Sequence, residues 1–166
     1  MAVTQPAGIL LDHDRWAMHA LFDACAPLPD EQLDRAFDMG LGTLRKTIIH
    51  ILGAKQAWTD ILHERPVRDR LEDDAPRSIA ELRALHDAIA DEFDAIATAH
   101  PPDGTVDAER RGQSYTFVRG HILTHVCTHG VHHRAQCQNM LRHLGVEKLP
   151  MSSVVEWALF GPGARF

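Results

Sequence analysis

This chain of 166 residues has few cysteines, no dense basic run and no long apolar segment, and these features exclude several classes of protein. It has three cysteines, Cys25, Cys127 and Cys137, and no CxxC pair, so reduced thiols fit better than a disulfide framework. Lys and Arg number 17 against 23 Asp and Glu, without a dense basic run, which argues against nucleic acid or an anionic membrane as partner. No apolar run approaches the roughly 18–20 residues that span a bilayer.

A targeting signal is also missing. The opening MAVTQPAGILLDHDR has neither the basic region nor the long apolar region of a signal peptide, so we expect a cytoplasmic protein. A mass of 18.5 kDa is enough for one substantial core, and we expect residues 1–166 to form a single domain.

Helical periodicity is present along most of the chain, cut into lengths by proline and glycine. Capping boxes at Ser78–Glu81 and Ser153–Glu156 mark two helix starts. The pattern predicts long helices over about 8–26, 43–64, 78–100 and 118–144, a short amphipathic piece at 29–37, and a last short helix over 153–160.

Two connecting segments differ from these helices. The charged stretch 67–77 is most simply a solvated connection, and residues 103–117 predict a loop or small hairpin. The fold class is therefore all-α: a four-helix bundle with a short extra C-terminal helix and a loop or small hairpin before the fourth helix.

Histidine is abundant, and five of the twelve fall between His121 and His133. Four of these, His121, His125, His129 and His133, recur every four residues and so lie on one face of a helix. Two imidazoles one turn apart can bind one metal ion. The spacing predicts a metal site on this helix, and it allows the pairs His121/His125, His125/His129, His129/His132 and His129/His133.

A third ligand is expected from a neighbouring helix. His50 lies in the middle of the second long helix, and the small side chains of Ala54 and Ala57 continue its face. No Glu-x-x-His or HExxH motif occurs, which excludes a ferritin-like di-iron centre. Histidine ligands without a bridging carboxylate favour zinc or nickel as the divalent ion.

Three segments resemble the DinB-like superfamily of metal-dependent helix bundles. HVCTHGVHHRAQ at 125–136 is similar to its H-x-x-x-H-x-x-H-H-R-G-Q signature. LRKTIIHILGAKQAW at 44–58 is similar to the motif around its first histidine, and DHDRWAMHALFDAC at 12–25 resembles its first helix. Ala135 departs from the usual glycine, and Met18 from the usual asparagine.

The resemblance implies that His50, His129 and His133 hold the metal. It leaves His125, His132, Arg134 and Gln136 as candidates for groups that orient these ligands. Three histidines would leave one position of a tetrahedral ion open, as at catalytic sites. No catalytic acid or base can be named from the sequence.

The same resemblance implies a reaction class. The superfamily includes transferases and isomerases that use low-molecular-weight thiols such as mycothiol and bacillithiol. We therefore expect a thiol-dependent S-transferase or isomerase that acts on a small-molecule substrate. A low-molecular-weight thiol is the expected cofactor, and a homodimer is the expected assembly. The alternatives are a metal-dependent hydrolase and a non-catalytic metal-binding stress protein.

Overall fold

The computed structural model describes residues 5–110 and 112–162, and the described chain is mostly helical. Four helices are long, two are short, and one 3-10 turn and one hairpin connect them. In chain order these are α1 (Pro6–Cys25), α2 (Asp30–Leu33), α3 (Leu44–Leu62), the 3-10 turn Leu71–Asp73, α4 (Ile79–Ala99), β1 (Thr105–Arg110), β2 (Gln113–Val118), α5 (Arg119–His143) and α6 (Val154–Phe160).

The four long helices pack as the predicted bundle. Helix α3 lies against both α4 and α5, and α1 lies against α4 and α5. The hairpin before α5 is antiparallel, with Thr105 opposite Val118 and Arg110 opposite Gln113, and α6 contacts α1. Both predicted capping boxes are confirmed, at Ser78 with Glu81 and at Ser153 with Glu156. None of the described helices is long and apolar enough to cross a membrane.

Two connecting segments differ in detail from the sequence-based expectations. The amphipathic piece at 29–37 is helical only in the single turn of α2, because the chain must reverse before α3. Gly40 and Gly42, at φ 55° and 87°, make that reversal, and the Phe37 amide donates to the Gly42 carbonyl. The stretch 67–77 is more than a solvated connection, since Leu71 is buried and its 3-10 turn packs on α3.

The core consists of two hydrophobic clusters with a layer of buried charge between them. One cluster contains Met18, Leu52 and Cys137, and the other contains Leu11, Trp58 and Cys127. The charged side chains fall between the two clusters along each of three helices: Asp14 on α1, Lys55 on α3 and Arg134 on α5.

Asp14 is the centre of this charged layer. Lys55 Nζ donates to Asp14 Oδ2 over 2.6 Å, and Arg134 Nη1 donates to Asp14 Oδ1. Burial by itself raises the pKa of Asp14, but the two cations outweigh burial and hold that pKa far below its usual range. The carboxylate therefore stays charged and joins α1 to both α3 and α5.

Gly130 gives these side chains room to meet. A Cβ built on Gly130 would lie 2.6 Å from Asp14 Oδ1 and 2.7 Å from Arg134 Nη1. Because both groups are buried and paired, neither can move aside without breaking the ion pair. The glycine is required here although it costs helix stability.

We predict that Gly130→Ala destabilises the protein. Helix propensity favours alanine by about 1 kcal/mol. Separation of Asp14 from Arg134 should cost roughly 3–5 kcal/mol and dominate. Urea denaturation followed by circular dichroism measures the difference. A variant as stable as the parent protein, or more stable, would contradict the steric role of Gly130.

His86 is a further titratable group deep in the core. Its side chain is 1% exposed, its ring packs edge-on against Phe22, and its Nδ1 lies 3.1 Å from Asp87 Oδ1. Burial, reinforced by the nearby Lys55 charge, lowers the pKa of His86 to about 4. The folded protein therefore keeps this imidazole neutral at a pH where the unfolded chain protonates it.

We predict a loss of stability in mild acid that depends on His86. Between pH 6.5 and about 4 the unfolded state binds the additional proton, so the free energy of unfolding should fall by roughly 3 kcal/mol through this residue. The prediction is tested by measuring the midpoints of urea denaturation across this pH range, with a chelator present. His86→Gln cannot titrate and should show a shallower pH dependence. Equal slopes for the two proteins would contradict the prediction.

Candidate metal centre

Three histidines from two helices meet at the α3–α5 contact. His50 comes from α3, and His129 and His133 come from consecutive turns of α5. The His50 ring centroid lies 5.1 Å from that of His129 and 4.8 Å from that of His133, and the latter two are 4.4 Å apart. One ring nitrogen of each lies within 4.8 Å of those of the other two, so the group could hold a metal ion.

Two of these rings have a hydrogen-bond partner at Nδ1. His133 Nδ1 lies 2.7 Å from Gln136 Oε1, and His50 Nδ1 lies 3.2 Å from Glu72 Oε1. Both oxygens are acceptors, so a proton carried on either Nδ1 would be donated to them. The lone pair of each ring is then at Nε2, as in metal sites where an outer acceptor fixes the tautomer.

Two of these histidines, His129 and His133, are held neutral by their surroundings. Burial, followed by the neighbouring imidazoles, lowers the pKa of His129 to about 4. Burial lowers the pKa of His133 as well, against a smaller opposing effect of Gln136. Neutral imidazole is the form that binds metals, so no proton has to be displaced from these two rings at neutral pH.

The remaining predicted site residues divide into two groups. His125 lies beside the three histidines, with its ring 5.6 Å from His129 and 5.4 Å from Trp58. His132 packs 4.9 Å from His133, and its Nε2 lies 3.1 Å from Gln136 Nε2. Arg134 is not brought to the imidazoles, because its side chain enters the core and donates to Asp14.

A cavity of about 570 Å³ opens beside His50 and His129. Ala54 and Ala57 form part of its wall, as expected from their small size next to His50. The rest of the wall combines apolar and polar side chains: Trp58, Ile61, Val67, Gln56, Arg68, Asp69, Arg70, Glu72, Glu109 and His125.

Glu72 is the residue of this site that the sequence did not reveal. It lies in the charged stretch 67–77, where a carboxylate is ordinarily solvated. One signal was present: Leu71 is an isolated apolar residue in that stretch, and its burial holds the 3-10 turn against α3.

The cysteines lie away from the cavity wall. All three are free and buried, and Cys137, four residues after His133, packs in the hydrophobic cluster with Met18. Burial raises the pKa of Cys25 and of Cys127 to about 12, and raises that of Cys137 as well. Their thiols are therefore protonated at neutral pH, and none of the three is paired in a disulfide.

A second group with metal-binding geometry lies between α1 and α4. It consists of His19, His86 and Asp87. Asp87 Oδ1 lies 2.6 Å from His19 Nε2 and 3.1 Å from His86 Nδ1, so the three already satisfy one another. No cavity residue belongs to this group, and the hydrogen bonds account for its arrangement.

The sequence pattern of the DinB family matches residues 2–159. No curated protein matches the chain.

We predict one metal ion per chain at the three histidines. His129→Ala removes one of the three rings, so metal content measured by elemental analysis should fall sharply. His143→Ala, on the exposed end of the same helix, and His19→Ala, in the second group, should each retain it. Equal metal content in His129→Ala and His143→Ala would contradict the assignment of the metal site to the three histidines. Loss of metal in His19→Ala would instead place the site at the second group.

Proposed function

The chain belongs to the DinB family, and we propose that His50, His129 and His133 bind one divalent ion, zinc or nickel, in an enzyme that transfers or isomerises through a thiolate. The observation that carries this proposal is the three-histidine group beside a cavity. A closed structural zinc site has four protein ligands, whereas catalytic sites have three and one open position.

The donor set fits such an ion. Of the described residues, the group that converges at this point contains three imidazoles and neither a carboxylate nor a cysteine. Neutral imidazoles suit zinc, nickel and similar ions. Glu72 and Gln136 act as outer acceptors that leave two of the rings with Nε2 free. A divalent ion held there would bind an incoming thiol as its thiolate and so supply the nucleophile.

The cavity suits small reactants. Its volume of about 570 Å³ lies within the usual range for small-molecule sites. Trp58 and Ile61 supply apolar surface, and Arg70, whose side chain is 72% exposed, supplies a charged group. Arg68 is less available because it donates to both Asp60 and Glu92. The wall therefore binds and orients the organic parts of the thiol and the electrophile.

Metal-dependent hydrolysis is the second candidate, and Glu72 is the observation in its favour. Its carboxylate is part of the cavity wall and could accept a proton from water. A non-catalytic metal-binding protein is the third, and it would not need the cavity. The reaction can therefore be assigned by asking which nucleophile enters the site.

We predict that a small thiol binds to the cobalt-substituted protein. Sulfur is a good ligand for zinc and related ions, so 2-mercaptoethanol or another small thiol should produce a sulfur-to-cobalt charge-transfer band in the near ultraviolet. His133→Ala should abolish the band, and His143→Ala should preserve it. Consumption of an electrophile such as a chlorodinitrobenzene in the presence of the thiol should show the same dependence on His133.

The outcomes separate the three candidates. A protein that binds cobalt but shows neither the band nor consumption of the electrophile contradicts the thiol reaction. Turnover of an activated ester without thiol would then favour the hydrolase. Metal binding with neither reaction would favour the non-catalytic protein.

A further inference from the structure

We propose that Glu72 is a positioning residue that fixes the tautomer of His50, and that position 53 is glycine because the Glu72 carboxylate occupies the space where a side chain would lie. The inference deepens the proposed function and rests on it for its effect on metal affinity. Its effect on His50 does not require a metal ion.

Glu72 is held in place by its own turn. Leu71, 7% exposed, anchors the 3-10 turn in the core against α3. The next residue, Glu72, then faces His50, with Oε1 3.2 Å from Nδ1. Its side chain is 26% exposed, so it is partly shielded from water, and the long contact of 3.9 Å with Arg70 leaves its charge largely available to His50.

Gly53 lies under this carboxylate, one turn after His50. A Cβ built on Gly53 would lie 3.0 Å from Glu72 Oε2, 3.4 Å from Cδ and 3.5 Å from Oε1. The Oε2 contact is the tight one, and the Glu72 carboxylate would have to shift by a few tenths of an ångström to admit a Cβ at Gly53. Gly53 is also in the interior of α3, where glycine is an unfavourable choice for a helix. The position of Glu72 gives a reason for that choice.

The second outer acceptor is arranged in the same way. Gln136 Oε1, which accepts from His133 Nδ1, lies 2.8 Å from a Cβ built on Gly40. Gly40 is also required by its φ of 55°, so it is a weaker indication than Gly53. Each of the two histidines thus has an acceptor at Nδ1 that packs over a glycine of another segment.

The chemical consequence concerns the proton on His50. Free histidine prefers the tautomer with the proton on Nε2, which would block that nitrogen as a ligand. An acceptor at Nδ1 reverses this preference and makes Nε2 a stronger ligand, and loss of such an acceptor typically lowers metal affinity 10–100-fold.

The experiment has one arm without metal. In the metal-free protein above pH 7, the nitrogen chemical shifts of the His50 ring, assigned by comparison with His50→Ala, should show the proton on Nδ1. In Glu72→Ala they should move toward the Nε2-protonated form. Asp73→Ala, which removes an exposed carboxylate from the same turn, should leave them unchanged. The same tautomer in the parent protein and Glu72→Ala would overturn the inference, whether or not the site binds metal.

The second arm uses Gly53 in a double-mutant cycle with zinc. Glu72→Ala should weaken zinc binding about 10–100-fold in competition with a chromophoric chelator. Gly53→Ala should shift the carboxylate by a few tenths of an ångström and so weaken zinc binding as well, while raising the thermal midpoint by about 2–4 °C through its helix propensity. In the Glu72→Ala background, Gly53→Ala should have no further effect on zinc affinity, because the carboxylate is already absent.

The results distinguish this inference from the proposed function. If the parent protein binds zinc, His129→Ala loses it, and Glu72→Ala retains full affinity, then only the role of Glu72 fails. If Gly53→Ala weakens binding equally with and without Glu72, the steric account of Gly53 fails. If the parent protein binds no zinc, the proposed function fails, and the tautomer measurement alone decides on Glu72.

Discussion

The buried ion pairs of Asp14 are the interactions on which the rest of the structure depends. They join α1, α3 and α5 at the level that separates the two hydrophobic clusters. On α5, Gly130 and Arg134 each directly follow a histidine of the site. Because Arg134 and Gly130 must face Asp14, the rotation of α5 about its axis is fixed, and His129 and His133 are turned toward α3. Charge in the core therefore sets the direction of the imidazoles at its edge.

The sequence predicted the features that depend on local patterns. The capping box at Ser78 and the hairpin before α5 follow from spacing and turn residues, and both are confirmed. The histidine spacing narrowed the site to a few pairs, and the resemblance to the DinB family, now confirmed, selected His50, His129 and His133. The structure brings these three together, and their role as ligands stays a prediction.

The features that were missed depend on contacts between distant segments. Asp14 and Lys55 are 41 residues apart, and a charged residue in an amphipathic helix is ordinarily placed on the solvated face. Glu72 was assigned to a solvated connection for the same reason. Local composition cannot reveal that Leu71 anchors its turn, since burial depends on where α3 passes. Glycine was the overlooked signal: Gly53 and Gly130 are both unfavourable within helices, and each adjoins a buried or partly buried charged side chain.

The burial of the cysteines has a consequence for any sulfur chemistry at the histidine site. A soft metal ion competes for every accessible thiolate, and a surface cysteine near the site would be trapped by the ion or oxidised to a mixed disulfide with an external thiol. Here all three thiols are buried and have raised pKa values. Because none of the three thiols is exposed or ionised, none of them competes with an external thiol for a metal ion at the three histidines.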